Sequence, residues 1–110
     1  MNATMNATMK QLSLALALMS LWSLHVLAQG TLNGRVTDEH GNGLPSATVV
    51  VDGGKGAFTD LDGNYSLTLA PATYKVTYSF IGFLSKTETV QIQNGQTATL
   101  NVRLDEDAVM

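Results

Sequence analysis

Three groups of residues have types and spacings that invite chemistry. Asp60, Asp62 and Asn64 alternate oxygen-bearing side chains around Gly63, as the opening of a calcium loop does. A full loop of that kind needs an acidic ligand at its twelfth position, which here is Pro71. The group therefore reads as an Asp/Gly turn whose carboxylates cap backbone amides. Two carboxylates two apart in a strand and turn also give no facing pair across a sugar, which glycosidase chemistry requires. Gly53-Gly54-Lys55-Gly56 has the composition of a phosphate cradle, yet no helical pattern follows it to supply anion-binding amides, so it reads as a hairpin tip. His25 lies in an apolar N-terminal run and His40 stands alone in a turn, which leaves zinc chemistry short of its three protein ligands. A serine nucleophile lacks a histidine base and an acid to orient it, and no Gly-x-Ser-x-Gly elbow occurs. The sequence has no cysteine, hence no disulfide, no thiol nucleophile and no lipid-modified cysteine as an anchor. These inventories predict that the chain is not an enzyme and has no catalytic residues, no metal site and no cofactor.

Binding is the chemistry left to it. Tyr74, Tyr78, Phe80 and Phe83 form the one aromatic concentration. The first three share strand parity and read as core. Phe83 follows Gly82 at a bend, so Ile81, Phe83 and Leu84 are the candidate interaction surface. Removing Lys10 from the six basic residues leaves five against nine acidic ones after Ala28, so nucleic acid is not an expected partner.

The elements that would hold such a surface are short strands. From Thr31 onward, alternating segments are separated by Gly, Asn, Asp and Pro clusters, and no stretch has helical periodicity. The pattern predicts seven strands, near 31–37, 48–52, 57–59, 64–69, 73–81, 85–93 and 97–104, packed as an all-β antiparallel sandwich. Period two turns inward Leu32, Val36, Ala47, Val49, Val51, Tyr65, Leu67, Leu69, Tyr74, Val76, Tyr78, Phe80, Val90, Ile92, Leu100, Val102 and Leu104. Turn chemistry agrees: Asp38 with Gly41, Asn42-Gly43, Asp62-Gly63-Asn64, Pro71 and Asn94-Gly95 all fall between strands.

Ahead of this module, Lys10, the apolar run from Leu12 to Leu27 and Val26-Leu27-Ala28 have the three parts of a cleavable export signal, with the cut before Gln29. A membrane-spanning helix is the alternative for that run, but it has no basic stop-transfer flank. The repeated Met-Asn-Ala-Thr at the start leaves Met1 and Met9 as candidate first residues. The division expected is a signal peptide over 1–28, a β-sandwich over 29–104 and an acidic linker over 105–110.

Leu32-Asn33-Gly34-Arg35-Val36-Thr37-Asp38, Gly43-Leu44-Pro45-Ser46-Ala47-Thr48-Val49, Thr59-Asp60-Leu61-Asp62-Gly63-Asn64-Tyr65-Ser66-Leu67, Pro71-Ala72-Thr73-Tyr74 and Ile81-Gly82-Phe83 together resemble the carboxypeptidase regulatory-like domain family. The resemblance spans nearly all of 29–104 and implies a seven-stranded Greek-key, transthyretin-like sandwich. In that family the domain stands beside metallocarboxypeptidase catalytic domains, or as an N-terminal extension of SusC-like TonB-dependent outer-membrane receptors of Bacteroidetes. An export signal, the domain and an acidic tail match the second setting. The implied role is a periplasmic accessory domain of a nutrient receptor, with the receptor plug and barrel or energy-transducing proteins as partners. The alternative is a free-standing secreted binding or adhesion module. Two positions depart from the family pattern: Ala72 stands where a glycine is usual, and Gly53-Gly54-Lys55-Gly56-Ala57 replaces a Gly-Thr-Thr-x-Gly-Thr run.

Overall fold

The computed structural model describes residues 28–108, so all but the last residue of the expected signal peptide lies outside the described residues. Eight strands form: β1 (Gly30–Thr37), β2 (Thr48–Val51), β3 (Gly56–Phe58), β4 (Asn64–Leu69), β5 (Ala72–Ser79), β6 (Lys86–Ile92), β7 (Thr97–Thr99) and β8 (Val102–Arg103). One sheet has the order β4-β1-β7, with β8 also pairing β1; the other has the order β3-β2-β5-β6. No helix occurs among the described residues.

Alternation drives the packing. Strand β4 alternates exposed and buried residues along its whole length, and Tyr65, Leu67 and Leu69 meet Leu32 and Val36 from β1, Val49 and Val51 from β2, and Val76 and Tyr78 from β5. Every inward position expected from the sequence is either buried or packed against this cluster. Leu44 and the hydroxyl-bearing Thr59 are additional buried residues. Thr59 is tolerated inside because its Oγ1 donates to the Leu44 carbonyl and accepts from the Ala47 amide at 2.8 Å, leaving no unpaired polar atom.

Two expectations about the sheets need correcting. The sandwich is not wholly antiparallel: β1 pairs β4 antiparallel, but β7 and β8 run parallel to β1. The final strand expected over 97–104 is also split in two. Both halves keep one register, Asn33 with Thr99 and Val36 with Val102, so the break is local. It arises where the regular parallel ladder would join the Arg35 amide to the Leu100 carbonyl. Arg35 N instead donates to Asn101 Oδ1 at 3.0 Å, and the Leu100 carbonyl accepts from the Tyr65 hydroxyl at 2.6 Å. Gly34 makes this possible, since a Cβ there would stand 1.9 Å from that carbonyl oxygen. Ala72, the departure from the family pattern, opens β5; the one non-glycine residue with positive φ among those described is Ser46, at 59°.

Candidate interaction surface

The loop after β5 begins with a tight turn. Phe83 N donates to the Phe80 carbonyl at 3.1 Å, and Gly82 takes φ of 85°, a conformation that suits glycine at the third position of a type II turn. Such a turn thrusts its second residue outward, and Ile81 is 92% exposed. Leu84 is 54% exposed. Phe83 is placed differently from the sequence expectation of an exposed ring: it is half-buried and stacks at a tilt on Phe80, with ring centroids 5.5 Å apart.

What holds Phe83 down is the C-terminal segment. Phe83 and Glu106 form an antiparallel bridge, Leu84 N donates to the Asp105 carbonyl at 2.9 Å, and Asp107 N donates to the Gly82 carbonyl at 2.9 Å. Residues 105–107 therefore pair with the loop, where the sequence suggested an unpaired linker. Adjacent carboxylates are costly to bury, which argues against continuing a strand through 105–107. The bridge avoids that cost, because it uses backbone groups while Asp105 and Glu106 stay exposed.

Beside this loop the outer face of the second sheet carries no charge across β3, β2 and the end of β5; Lys75 lies further along β5. Phe58, Thr48 and Ser79 stand in one row across β3, β2 and β5, and Gly56, Val50 and Thr77 form the next. A shallow groove runs over Ser46, Thr48, Ser79, Phe80 and Ile81. Phe58, at the sheet edge, is 73% exposed, and Leu61, in the following turn, is 88% exposed. The sequence reading missed both. Their signal was parity: Phe58 alternates with Ala57 and Thr59, both of which turn inward. The positive φ of Ser46 at the groove's end is held by its amide donating to the Thr59 carbonyl at 3.0 Å.

The Asp60 group is occupied by its own backbone. Asp60 Oδ1 accepts from the amides of Asp62 and Asn64, both at 2.9 Å, and Asp38 Oδ1 accepts from those of His40 and Asn42 at 2.8 and 2.9 Å. The two turns share the sequence Thr-Asp-x-x-Gly-Asn, and Gly41 and Gly63 both have φ of 85°. They nest against each other, for a Cβ on Gly43 would meet the Asp62 carbonyl oxygen at 2.0 Å. Hydrogen bonds from the Asn42 and His40 amides hold the Asp38 carboxyl below the usual carboxylate range. Inside the sandwich, burial disfavours the charged phenolate and raises the pKa of Tyr65 and Tyr78, whose hydroxyls lie 2.7 Å apart. No group of three or more metal-ligating side chains occurs among the described residues.

Comparison with known proteins adds the relatives. The chain is 34% identical over 97 residues to TonB-dependent receptor P39 of Formosa agariphila, covering 84% of this chain and 9% of the receptor. It is 33% identical over 78 residues to Structural protein 27 of a virus (isolate Australia/Victoria), covering 71% of this chain and 15% of that protein. The chain thus spans only a small part of both relatives. Among solved structures, the Bacillus anthracis TIE protein superposes with a TM-score of 0.63 at 20% identity, over 72% of this chain and 17% of that one. Catechol 1,2-dioxygenase from Pseudomonas arvilla C-1 superposes with a TM-score of 0.59 at 13% identity, over 74% of this chain and 53% of the enzyme. That last likeness corrects the expectation that the chain is not an enzyme. The same sandwich is part of catechol dioxygenases, so the fold is no ground for setting catalysis aside; at this identity the likeness is one of fold alone, and no activity passes to this chain. The profile of the carboxypeptidase regulatory-like domain matches residues 31–105, more than half of the sequence, and the chain belongs to that family.

Proposed function

We propose that this chain is the N-terminal accessory domain of a TonB-dependent outer-membrane nutrient receptor, folded on the periplasmic side of the outer membrane. The observation that carries the reading is the match to the Formosa agariphila receptor, which takes in 84% of this chain and only 9% of the receptor. A domain of this size leaves the membrane barrel and its plug to other parts of such a protein. Export fits the same reading, with the signal peptide removed before Gln29. The surface around Ile81, Phe83 and Leu84 then meets the plug and barrel or an energy-transducing protein. It lies where residues 105–107 leave the sandwich, so any following part of a longer protein starts beside it.

The test uses the native gene. An antibody raised against the folded sandwich should detect, in outer-membrane fractions, a product far larger than 110 residues. That product should resist added protease until the outer membrane is permeabilised. Detection of a domain-sized product in the medium would overturn the proposal in favour of a free-standing secreted module.

A further inference from the structure

We propose that β6 is a self-complementary edge through which two copies of this chain pair, extending the second sheet across a two-fold axis. Strand β6 ends the order β3-β2-β5-β6 and has no paired neighbour on its other side among the described residues. It is seven residues long. The other sheet edges are poorer templates. Strand β3 has three residues, none of them charged, so it holds no pair that would select a register, and the edge formed by β7 and β8 is interrupted at Leu100 and Asn101. On β4, Lys55 Nζ donates to the Thr68 carbonyl, while the Asp60 amide donates to the Asn64 carbonyl at 2.9 Å, so both ends are capped.

The side chains of β6 select the occupant. The register of β5 on β6 sets Thr87, Thr89 and Gln91 on the outer face, level with Thr77, Lys75 and Thr73, so β6 itself places no charge there. Lys86 and Glu88 lie on the opposite face, with Lys86 Nζ 3.8 Å from Glu88 Oε1. Inward charges on an edge strand normally discourage pairing, because an arbitrary incoming strand sets carbon against them. An antiparallel copy centred on Thr87 removes the objection, with Lys86, Thr87 and Glu88 of each copy as the strand residues that pair. Lys86 then faces Glu88 of the second copy, and Glu88 faces Lys86 of the second copy, which is a favourable cross-strand pairing. The same contact is made twice by symmetry, as an isologous interface requires. The backbone of Thr87 is turned the right way for this. The Lys75 carbonyl accepts from the Asp52 amide on the β2 side, so by alternation Val76 and Tyr78 bond towards β6, their partners Glu88 and Lys86 bond back, and Thr87 points outward. Its amide and carbonyl meet those of the second copy across the axis, with the two Cα atoms about 5.5 Å apart.

Because the sequence has no cysteine, a single introduced thiol reports the register without background. In the full chain under mild oxidation, Thr87→Cys should trap most of the protein as a disulfide-linked dimer, since a Cα separation of about 5.5 Å suits a disulfide. Thr89→Cys should remain monomeric, because the two introduced thiols would sit four residues out of register, about 13 Å apart. In sedimentation without cross-linking, K86E and E88K should each shift the protein to monomer mass, and K86E/E88K together should restore the dimer. The proposal is overturned if the unsubstituted chain sediments as a monomer at high concentration. It is equally overturned if Thr89→Cys cross-links as well as Thr87→Cys, or if the double charge swap behaves like the single ones.

Discussion

Tyr65 and Tyr78 carry chemically identical hydroxyls, yet removing them should have unequal effects. The Tyr78 ring is fully buried and meets Tyr65 edge-on, with centroids 5.6 Å apart and planes at 68°. The hydroxyls lie 2.7 Å apart, and Tyr65 donates its proton to the Leu100 carbonyl at 2.6 Å. With the Tyr65 proton committed, Tyr78 must be the donor to Tyr65. Tyr78→Phe therefore removes one hydrogen bond and leaves Tyr65 still bonded to Leu100, a loss of about 1 kcal/mol. Tyr65→Phe strands two groups, the Tyr78 hydroxyl and the Leu100 carbonyl, whose ladder donor at Arg35 is already spent on Asn101. Each stranded group costs about 1–3 kcal/mol, so the total is about 2–4 kcal/mol after partial relaxation. The double variant strands the carbonyl alone and should be more stable than the sum of the single effects by about 2–3 kcal/mol. Urea denaturation reads these values as shifts in midpoint at constant slope. Equal losses, or a larger loss for Tyr78→Phe, would show that the proton runs the other way and that the Leu100 carbonyl has another donor.

The same pair gives a pH dependence. Both tyrosines ionise above their ordinary range when folded, so the unfolded chain releases protons first and stability should fall as pH rises beyond about 10, an effect weakened in the double phenylalanine variant. Asp38 shifts the opposite way: its stabilising contribution is present above the ordinary carboxylate range and should be lost as pH falls through it, which Asp38→Asn should blunt in an acid titration. Gly34→Ala and Gly43→Ala press a methyl group into the backbone oxygens of Leu100 and Asp62 and should lower the urea midpoint sharply, on the order of 3 kcal/mol or more, whereas Gly54→Ala, with open space around it, should cost about 1 kcal/mol for its φ of 96°. Val102→Ala should cost about 1–3 kcal/mol, and Arg103→Ala, on the exposed face, much less. In hydrogen exchange, the amides of Leu84 and Asp107 should be protected by their partners across the loop, and loss of protection at both would remove the docked tail.

Most of the sandwich was legible because its strands obey a period of two with little interference. Tyr65, Leu67 and Leu69, or Val76 and Tyr78, are separated by polar residues, and this alternation is what burial on one face of a sheet demands. What escaped the pattern depends on contacts far apart in sequence. The break at Leu100 and Asn101 follows from Gly34, Arg35 and Tyr65, none of them near in the chain, and local alternation through Leu100, Val102 and Leu104 gives no sign of it. The parallel pairing of β1 with β7 and β8 is equally silent, since a strand's sequence does not state its neighbour's direction. Thr59 was hidden by its polarity: its side chain is buried because it bridges Leu44 and Ala47. Of the surface residues, Ile81 and Leu84 stood out as apolar side chains at a glycine bend, whereas the position of Phe83 depended on a tail whose charges argued against any pairing.

That tail changes how the surface can work. A freely jointed linker would let the sandwich tumble independently of whatever follows it, and a contact through Ile81 or Leu84 would then have to bear the entropy of fixing their relative orientation. Two backbone hydrogen bonds from residues 105–107 to Gly82 and Leu84 fix the exit of the chain to the loop that presents those side chains. In the proposed receptor role, a partner reached through the C-terminal segment would arrive with Ile81 already close and its orientation partly set. The acidic side chain of Glu106 remains in solvent beside the apolar loop, while that of Asp105 is paired with Arg103 at 3.1 Å, so the surface joins an uncharged groove to a margin whose exposed acidic group is Glu106. Complementarity to it calls for an apolar centre flanked by basic residues: the apolar part supplies affinity, and the charged flank supplies register and rate of encounter.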